Sequence, residues 1–331
     1  MNYKLDGRIL KIDIDSLFNE TIQSFFDDFI PSKKIQHLLI QNKWITMDGN
    51  PVKREDDIVG ISLEINIYPE DNFYKKTENK VQIVYEDELL VVVNKPKGIL
   101  VHSDGNDEDT LTKHLESYYA DKPYISVQAI HRLDKDTTGL VVFSKSIIFQ
   151  PLLDKLLSEK QIRRYYLAFV KGRMNEGQSL TIDKPIGKDR HDANKRIIYK
   201  GGQSALTKVK SLGYSKKYDC SILRCSLDSG RTHQIRVHLS SEGLPILNDP
   251  LYGVNSKLLV RMGLIADELE FYHPLKEEML NIDIDLPNDL SKLYSEVIRW
   301  KPTPWDFLIG IRFNTKLLNM TFLKKNSQEW K

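Results

Sequence analysis

Asp134 stands in the run AIHRLDKDTTGLVVFSK, residues 129–145, between a polar turn and an apolar segment. His131-Arg132-Leu133-Asp134 leads into Thr137-Thr138-Gly139, and Leu140–Phe143 reads as a buried strand. A carboxylate on such a loop is held by a sheet and still meets solvent, where reacting groups tend to sit. It can serve there as a nucleophile or as the stabiliser of a developing cation. As a bare string, HRLD is also compatible with an exposed Asp134 paired to Arg132 or Lys135.

A second run, GRTHQIRVHL at 230–239, concentrates donors and cations. It alternates strictly, with His233, Ile235, Val237 and Leu239 on one face and Thr232, Gln234, Arg236 and His238 on the other. The spacing predicts a strand over 232–239 lining a cleft, entered at Gly230-Arg231. Burial would raise the pKa of Asp134 and a nearby guanidinium would lower it again. That gives a carboxylate and an arginine from distant segments a reason to meet. His131, His191, His233 and His238 lack metal-ligand spacing, and there is neither a GxGxxG nor a Walker-type loop. No metal and no cofactor are therefore expected.

The elements that must position these groups fall into two patterns. Residues 16–30 carry Leu17, Phe18, Ile22, Phe25, Phe26 and Phe29 at helical spacing. Pro31 ends that run, and Ser32 can cap a second helix with Ile35, Leu38 and Leu39 inward. Trp44–Met47 reads as a strand, Asp48-Gly49 as a tight turn, and Ile61, Leu63, Ile65 and Ile67 alternate as a further strand. Two short helices followed by a small hairpin are thus expected over 1–68. The polar stretch 69–80 reads as a linker. From 81 on, strands are predicted at 81–85, 89–96, 140–144, 166–170, 205–211 and 219–227, with helices near 110–119 and 147–159. Strands and helices mix without a regular βαβ rhythm, so an α+β fold is expected. Residues 301–331 form a C-terminal extension, in which Trp305, Phe307, Leu308 and Ile311 suggest a docked element.

The 331 residues carry a net charge of only +2 and two cysteines, Cys220 and Cys225, too few for a disulfide framework. No run approaches the length of a membrane span and no leader is evident at MNYKLDGRIL, so a cytoplasmic protein is expected. Charge is segregated. Eight Lys/Arg stand against three Asp between 183 and 210, whereas 265–297 holds nine Asp/Glu and two Lys. Such segregation leaves one region able to hold a polyanion.

HRLD with TTG, then KPIG at 184–187, GGQSALTKVK at 201–210, GRTHQIRVHL and DPLYG at 249–253 resemble, in this order, the RluA family of pseudouridine synthases. ELEFYHP at 268–274 fits the family's closing strand, so the resemblance spans roughly 81–290. Residues 1–68 are similar to an S4-like RNA-binding domain, with Lys33, Lys34 and Lys43 as its RNA contacts. The resemblance implies a largely antiparallel mixed sheet flanked by helices over 81–300. It also implies a cofactor-free isomerisation of RNA uridine in a monomer.

It implies that Asp134 is the nucleophile, that Tyr166 stacks on the target base and that Arg231 pairs with the aspartate. Ile235 packs beside the base, and His131, Arg132, Leu133, Thr138, Gln234 and Arg236 complete the substrate pocket. Arg163, Arg164, Lys188, Arg190, Lys195 and Arg196 then clamp phosphates while the base is flipped out. Asn248 and Ile265 depart from the family's usual glycine and histidine. An S4-like domain on such an enzyme points to large-subunit ribosomal RNA, with tRNA as the rival. The competing classes are a non-catalytic RNA-binding protein and a glycosidase, although a glycosidase would need a second carboxylate.

Overall fold

A computed structural model describes residues 2–14, 21–77, 81–103, 105 and 109–298. The expected element at 301–331 lies outside them. The N-terminal part is a five-stranded antiparallel sheet built from β1 (Asn2–Asp6), β2 (Ile9–Asp13), β3 (Ile45–Met47), β4 (Asn50–Pro51) and β5 (Ser62–Asn66). Its order is β1-β2-β5-β3-β4. Helices α1 (Ile22–Phe29) and α2 (Lys33–Gln41) precede β3 in the chain. Ile22, Phe25 and Phe26 recur at helical spacing and are buried, as are Leu10, Ile12, Leu63 and Ile65 of the sheet. Thr21 caps α1 by accepting from the Ser24 N–H. Asp48 and Gly49 both adopt left-handed backbone, φ 49° and 78°, which suits the twist of the β3–β4 hairpin.

This part holds more sheet than the two helices and hairpin that the sequence suggests. β1 and β2 were hidden because charged residues fill their outward positions and the turn between them is short. The first helix begins at Ile22, and residues 15–20 lie outside the described ones. Residues 69–77 form no helix or strand, yet they are pinned to the larger part. Asn72 donates to the carbonyls of Pro123 and Ile125, and the Thr77 N–H donates to Ser117 Oγ.

The larger part begins with β6 (Gln82–Glu86), β7 (Leu90–Lys95), α3 (Leu111–Tyr118), β8 (Gln128–Ala129), β9 (Thr138–Ser144) and α4 (Gln150–Ser158). It continues through β10 (Arg163–Lys171), β11 (Ser179–Asp183), β12 (Ile186–Lys188), β13 (Arg196–Ile198), β14 (Leu206–Ser215) and β15 (Cys220–Leu227). Helix α5 (Gln234–Ser241), β16 (Leu264–His273), β17 (Glu278–Asp283) and α6 (Asn288–Val297) complete it. Ten strands make one sheet in the order β11-β14-β15-β10-β16-β9-β7-β6, with β17 on β16 and β8 on β9. The fold is α+β with a largely antiparallel sheet. Cys220 and Cys225 are free thiols buried on β15.

Strands β7 and β9 carry the continuous apolar runs Leu90–Val93 and Leu140–Phe143, fully buried as strands covered on both faces must be. All neighbours run antiparallel except β9 and β16, which pair in parallel through Thr138–Ile265 and Gly139–Ala266. Gly139 permits that approach: its φ is +113°, and a Cβ there would lie 2.0 Å from the Ala266 carbonyl oxygen. Gly139→Ala combines backbone strain with a backbone clash, and should destabilise the protein by about 3 kcal/mol or more in denaturant titration. A change below about 1 kcal/mol would show that the two strands separate freely.

The largest departure from expectation concerns 232–239. The segment is not a strand but helix α5, entered through His233 in left-handed conformation, φ 59°. Gln234, Arg236 and His238 are buried together with Ile235, Val237 and Leu239, so residues 234–239 have no solvent face. An all-buried helix shows no 3.6-residue periodicity, and chance alternation of polar and apolar types then mimics a strand.

Candidate active site

Asp134 begins a tight turn closed by the Thr137 N–H on its carbonyl at 3.2 Å, and that turn feeds directly into β9. The turn is clamped from below. Lys95, fully buried at the end of β7, donates to the carbonyls of Pro96, Ile99 and Lys135 at 2.8–2.9 Å. Burial pulls the Lys95 ammonium down to about 8, while Asp136 and Asp134 favour its charge. One buried cation thus fixes the loop that presents the carboxylate.

The partner of that carboxylate is Arg236, not Arg231. Arg236 reaches Asp134 Oδ2 through an Nη1 bond of 3.0 Å and holds Asp249 in a fork, with Nε and Nη2 both at 2.8 Å. Arg231 instead donates its Nε to the Ser204 carbonyl and remains exposed at the rim. The cause is the helix. Residue 236 lies on its inward side, whereas 231 precedes it. Side-chain exposure separates the two acids: 18% for Asp134 against 0% for Asp249, with 4% for Arg236. Asp249 is sealed in as the structural counterion, and Asp134 is the carboxylate open to a ligand.

Burial opposes charge on Arg236, but its bonds to Asp249 and the charges of Asp134 and Asp249 hold its pKa above the usual arginine range. Burial likewise works against the Asp249 carboxylate, and the Arg236 guanidinium outweighs it, leaving the pKa below the ordinary value. Tyr252 completes the group, with the Arg236 guanidinium 5.3 Å from its ring centroid. The Tyr252 hydroxyl accepts from the Arg196 N–H and lies 2.9 Å from His233 Nδ1. With that hydroxyl donating to Nδ1, the His233 proton is on Nε2, 4.0 Å from Asp134 Oδ1. Burial lowers the His233 pKa, against the pull of Asp134.

Tyr166 comes from β10, where the register with β16 shifts between Tyr165 and Tyr166. Such a bulge re-aims side chains beside a site. The ring is 4% exposed, and burial raises its hydroxyl pKa, with Arg164 opposing. Tyr166, Ile235, Leu133, Leu227 and Leu264 give the pocket apolar walls, while Asp134, Arg236, Arg132, Arg164 and Arg231 supply the charge. A pocket with apolar walls, one carboxylate and several guanidiniums is suited to a planar base on an anionic chain.

Other expected residues divide. His131 is buried; its Nε2 accepts from the Val142 N–H, and burial depresses its pKa to about 3, so it is neutral and structural. Gln234 lines the pocket, but its amide is engaged by Ser229, the Arg231 N–H, the Leu206 carbonyl and Thr207. It ties α5 to β14. Thr137, rather than Thr138, faces the pocket; Thr138 is buried in the pairing with Ile265. Lys33, Lys34, Lys43, Arg163, Lys188 and Arg190 are exposed, with Lys195 and Arg196 partly covered. Lys33 lies 3.7 Å from Asp27, and Arg163 bonds Glu270 at 2.8 Å.

The two departures also find a place. Asn248 has φ 58°, a left-handed backbone that glycine or asparagine accepts, and its side chain bonds the Leu259 carbonyl and the Ser256 N–H. Ile265 is buried between β9 and β10. Sequence reasoning missed Asp249 and Tyr252 as site residues. The available signal was an acid in a Pro-Leu-Tyr-Gly turn that needs a buried cation, with two arginines to choose from.

A family model described as RNA pseudouridylate synthase matches residues 89–241. An uncharacterized RNA pseudouridine synthase of Bacillus subtilis, YhcT, is 36% identical over 262 residues, covering 78% of this chain and 83% of its own. The chain belongs to the RluA family of RNA pseudouridine synthases. A second relative, an uncharacterized RNA pseudouridine synthase of Aquifex aeolicus, is 31% identical over 312 residues, with 89% and 96% covered. The ribosomal large subunit pseudouridine synthase D of Xanthomonas campestris is 30% identical over 298 residues, with 84% and 88% covered. The solved structure of human RNA pseudouridylate synthase domain containing 1 shares the fold. Its TM-score is 0.53 at 23% identity, covering 70% of this chain and 99% of that one.

In this pseudouridine synthase Arg164 stands out. It is 8% exposed, lines the pocket, and its Nε is buried with no hydrogen-bond acceptor among the described residues. A buried guanidinium nitrogen left without an acceptor is costly to the folded protein. Arg164→Met should therefore stabilise the apo-synthase by about 1–2 kcal/mol in urea unfolding while weakening its use of RNA about tenfold or more. A less stable variant with unimpaired turnover would mean that Arg164 serves the fold alone.

Proposed function

We propose that this synthase isomerises a uridine of large-subunit ribosomal RNA, with Asp134 as nucleophile and no cofactor. The reading rests above all on the Asp134 carboxylate, held by Arg236 at the opening of a slot walled by Tyr166 and Ile235. Isomerisation breaks the N1–C1′ bond, turns the uracil and joins C5 to C1′. The C5 proton is lost and N1 gains one, so no redox equivalent or group donor enters the balance. The carboxylate supplies the nucleophile, and the Arg236 bond at 3.0 Å orients it in the pocket. Tyr166 offers a stacking face worth about 1–3 kcal/mol for a base. Arg132, Arg164 and Arg231 engage the phosphates that flank the everted nucleotide.

Residues 1–68 act as an S4-like domain that adds a second RNA contact through Lys33, Lys34 and Lys43. Residues 81–300 form the catalytic domain of a cytoplasmic monomer. Large-subunit RNA is favoured because relatives such as that of Xanthomonas campestris carry that substrate in their names. The test is to map pseudouridines in ribosomal and transfer RNA from cells with and without the gene. Loss of one or more sites confined to large-subunit RNA is expected. Loss in tRNA alone would replace the substrate, and no loss at all would remove the catalytic reading.

A further inference from the structure

Two motifs, KPIG at 184–187 and GGQS at 201–204, have no part in the chemistry described above. They meet around one aromatic ring. Tyr199 follows β13, its N–H donating to the Pro185 carbonyl, while the Gly202 N–H donates to the Tyr199 carbonyl at 2.8 Å. A Cβ at Gly187 would lie 3.1 Å from Tyr199 Cδ1, and one at Gly201 would lie 2.8 Å from its Cε1. The ring rests against bare backbone at both glycines, yet Tyr199 is 46% exposed. A residue this size, seated so closely and left open, is not serving the core.

Its surroundings are cationic. Lys188, Arg190 and Lys200 are exposed on the same short β12–β13 hairpin and its exit, with Lys195 and Arg196 beside them. The two acids of the hairpin loop are occupied, Asp189 accepting from the His191 N–H and Asp192 from the Asn194 N–H. The hairpin is also fixed to the pocket wall. The Arg196 N–H bonds Tyr252, which contacts His233 beside Asp134.

We infer that Tyr199 is a stacking platform for an unpaired base flanking the uridine in the pocket. This rests on the pocket being the uridine site. A base unstacked when its neighbour is everted needs a new π-face, and a ring already immobilised by backbone contacts provides one at little entropic cost. Such a platform selects for an unpaired neighbour rather than for a particular sequence, and favours purines through their larger faces.

The test measures affinity for an RNA fragment that the wild-type enzyme modifies, at several salt concentrations, with folding checked by thermal unfolding. Tyr199→Ala should weaken binding about 5- to 100-fold, and Tyr199→Phe by less than about twofold. The slope of log Kd against log salt should stay unchanged, because no phosphate contact is lost. Gly201→Ala, which keeps the ring but pushes it from its seat, should lose affinity as Tyr199→Ala does. Wild-type affinity in the alanine variant, equal loss in Tyr199→Phe, or a shallower salt slope would each overturn the platform. A wild-type enzyme that modifies RNA alongside an unimpaired Tyr199→Ala would refute the platform alone. Pseudouridine formed without Asp134 would refute the pocket beneath it.

Discussion

Asp134→Asn is expected to lower pseudouridine formation by about 10,000-fold or more, equivalent to roughly 5.5 kcal/mol of barrier, while RNA affinity changes by less than about threefold. The substitution is isosteric and the amide oxygen can still accept from Arg236. It removes only the charge and nucleophilicity of the carboxylate. The fold should tolerate the change because the buried Arg236 keeps Asp249, its two-bonded counterion. Thermal unfolding, filter binding and single-turnover kinetics on one preparation separate these effects. Parallel loss of binding and stability would instead make Asp134 a structural anchor for its loop.

Arg236→Met should be the most damaging single change to stability. It leaves Asp249, with 0% side-chain exposure, as an uncompensated buried charge, and deprives Asp134 of its partner. Breaking a buried pair from one side costs about 3–5 kcal/mol. The pH dependence carries the same signature. In the native protein the depressed pKa of Asp249 contributes stability above the unfolded carboxylate pKa, and that contribution is lost as pH falls through the folded value. In the variant, burial is opposed only by the backbone N–H bonds from Leu251 and Tyr252, and the pKa rises. The folded state then binds the proton more tightly, and stability increases as pH falls from neutral towards about 4. The gap between the two proteins should narrow on acidification. Arg236→Met combined with Asp249→Leu should recover part of the loss. A gap below about 1 kcal/mol at neutral pH, or one that widens in acid, would contradict the account.

The sequence disclosed the pocket-lining residues Asp134 and Tyr166 better than the groups that hold them. HRLD alone fits an exposed aspartate equally well, and Asp134 was legible only because the ordered motifs gave it company. Tyr166 was legible from its place in RRYYLAF. The resemblance implies Arg231, whereas Arg236 is the guanidinium on Asp134, and the strand expected over 232–239 offers no reason to prefer either. In a strand, Arg231 at the entrance is as plausible as Arg236. In a helix entered through a left-handed His233, only Arg236 turns inward. No local pattern distinguishes these, since the polar members Gln234, Arg236 and His238 are buried with partners from β14, the 184 loop and the 249 turn. Tertiary hydrogen bonds decided the conformation. The same holds for β1 and β2, whose charged outer positions conceal the apolar pair Leu10 and Ile12.

The most direct measurement is a crystal structure of the Asp134→Asn protein bound to an RNA that the native enzyme modifies. One uridine turned out of its stack is expected, its uracil against Tyr166 and Ile235, with the residue 134 side chain within contact of that nucleotide. RNA seated on another face, with the slot empty and position 134 remote from any uridine, would contradict it.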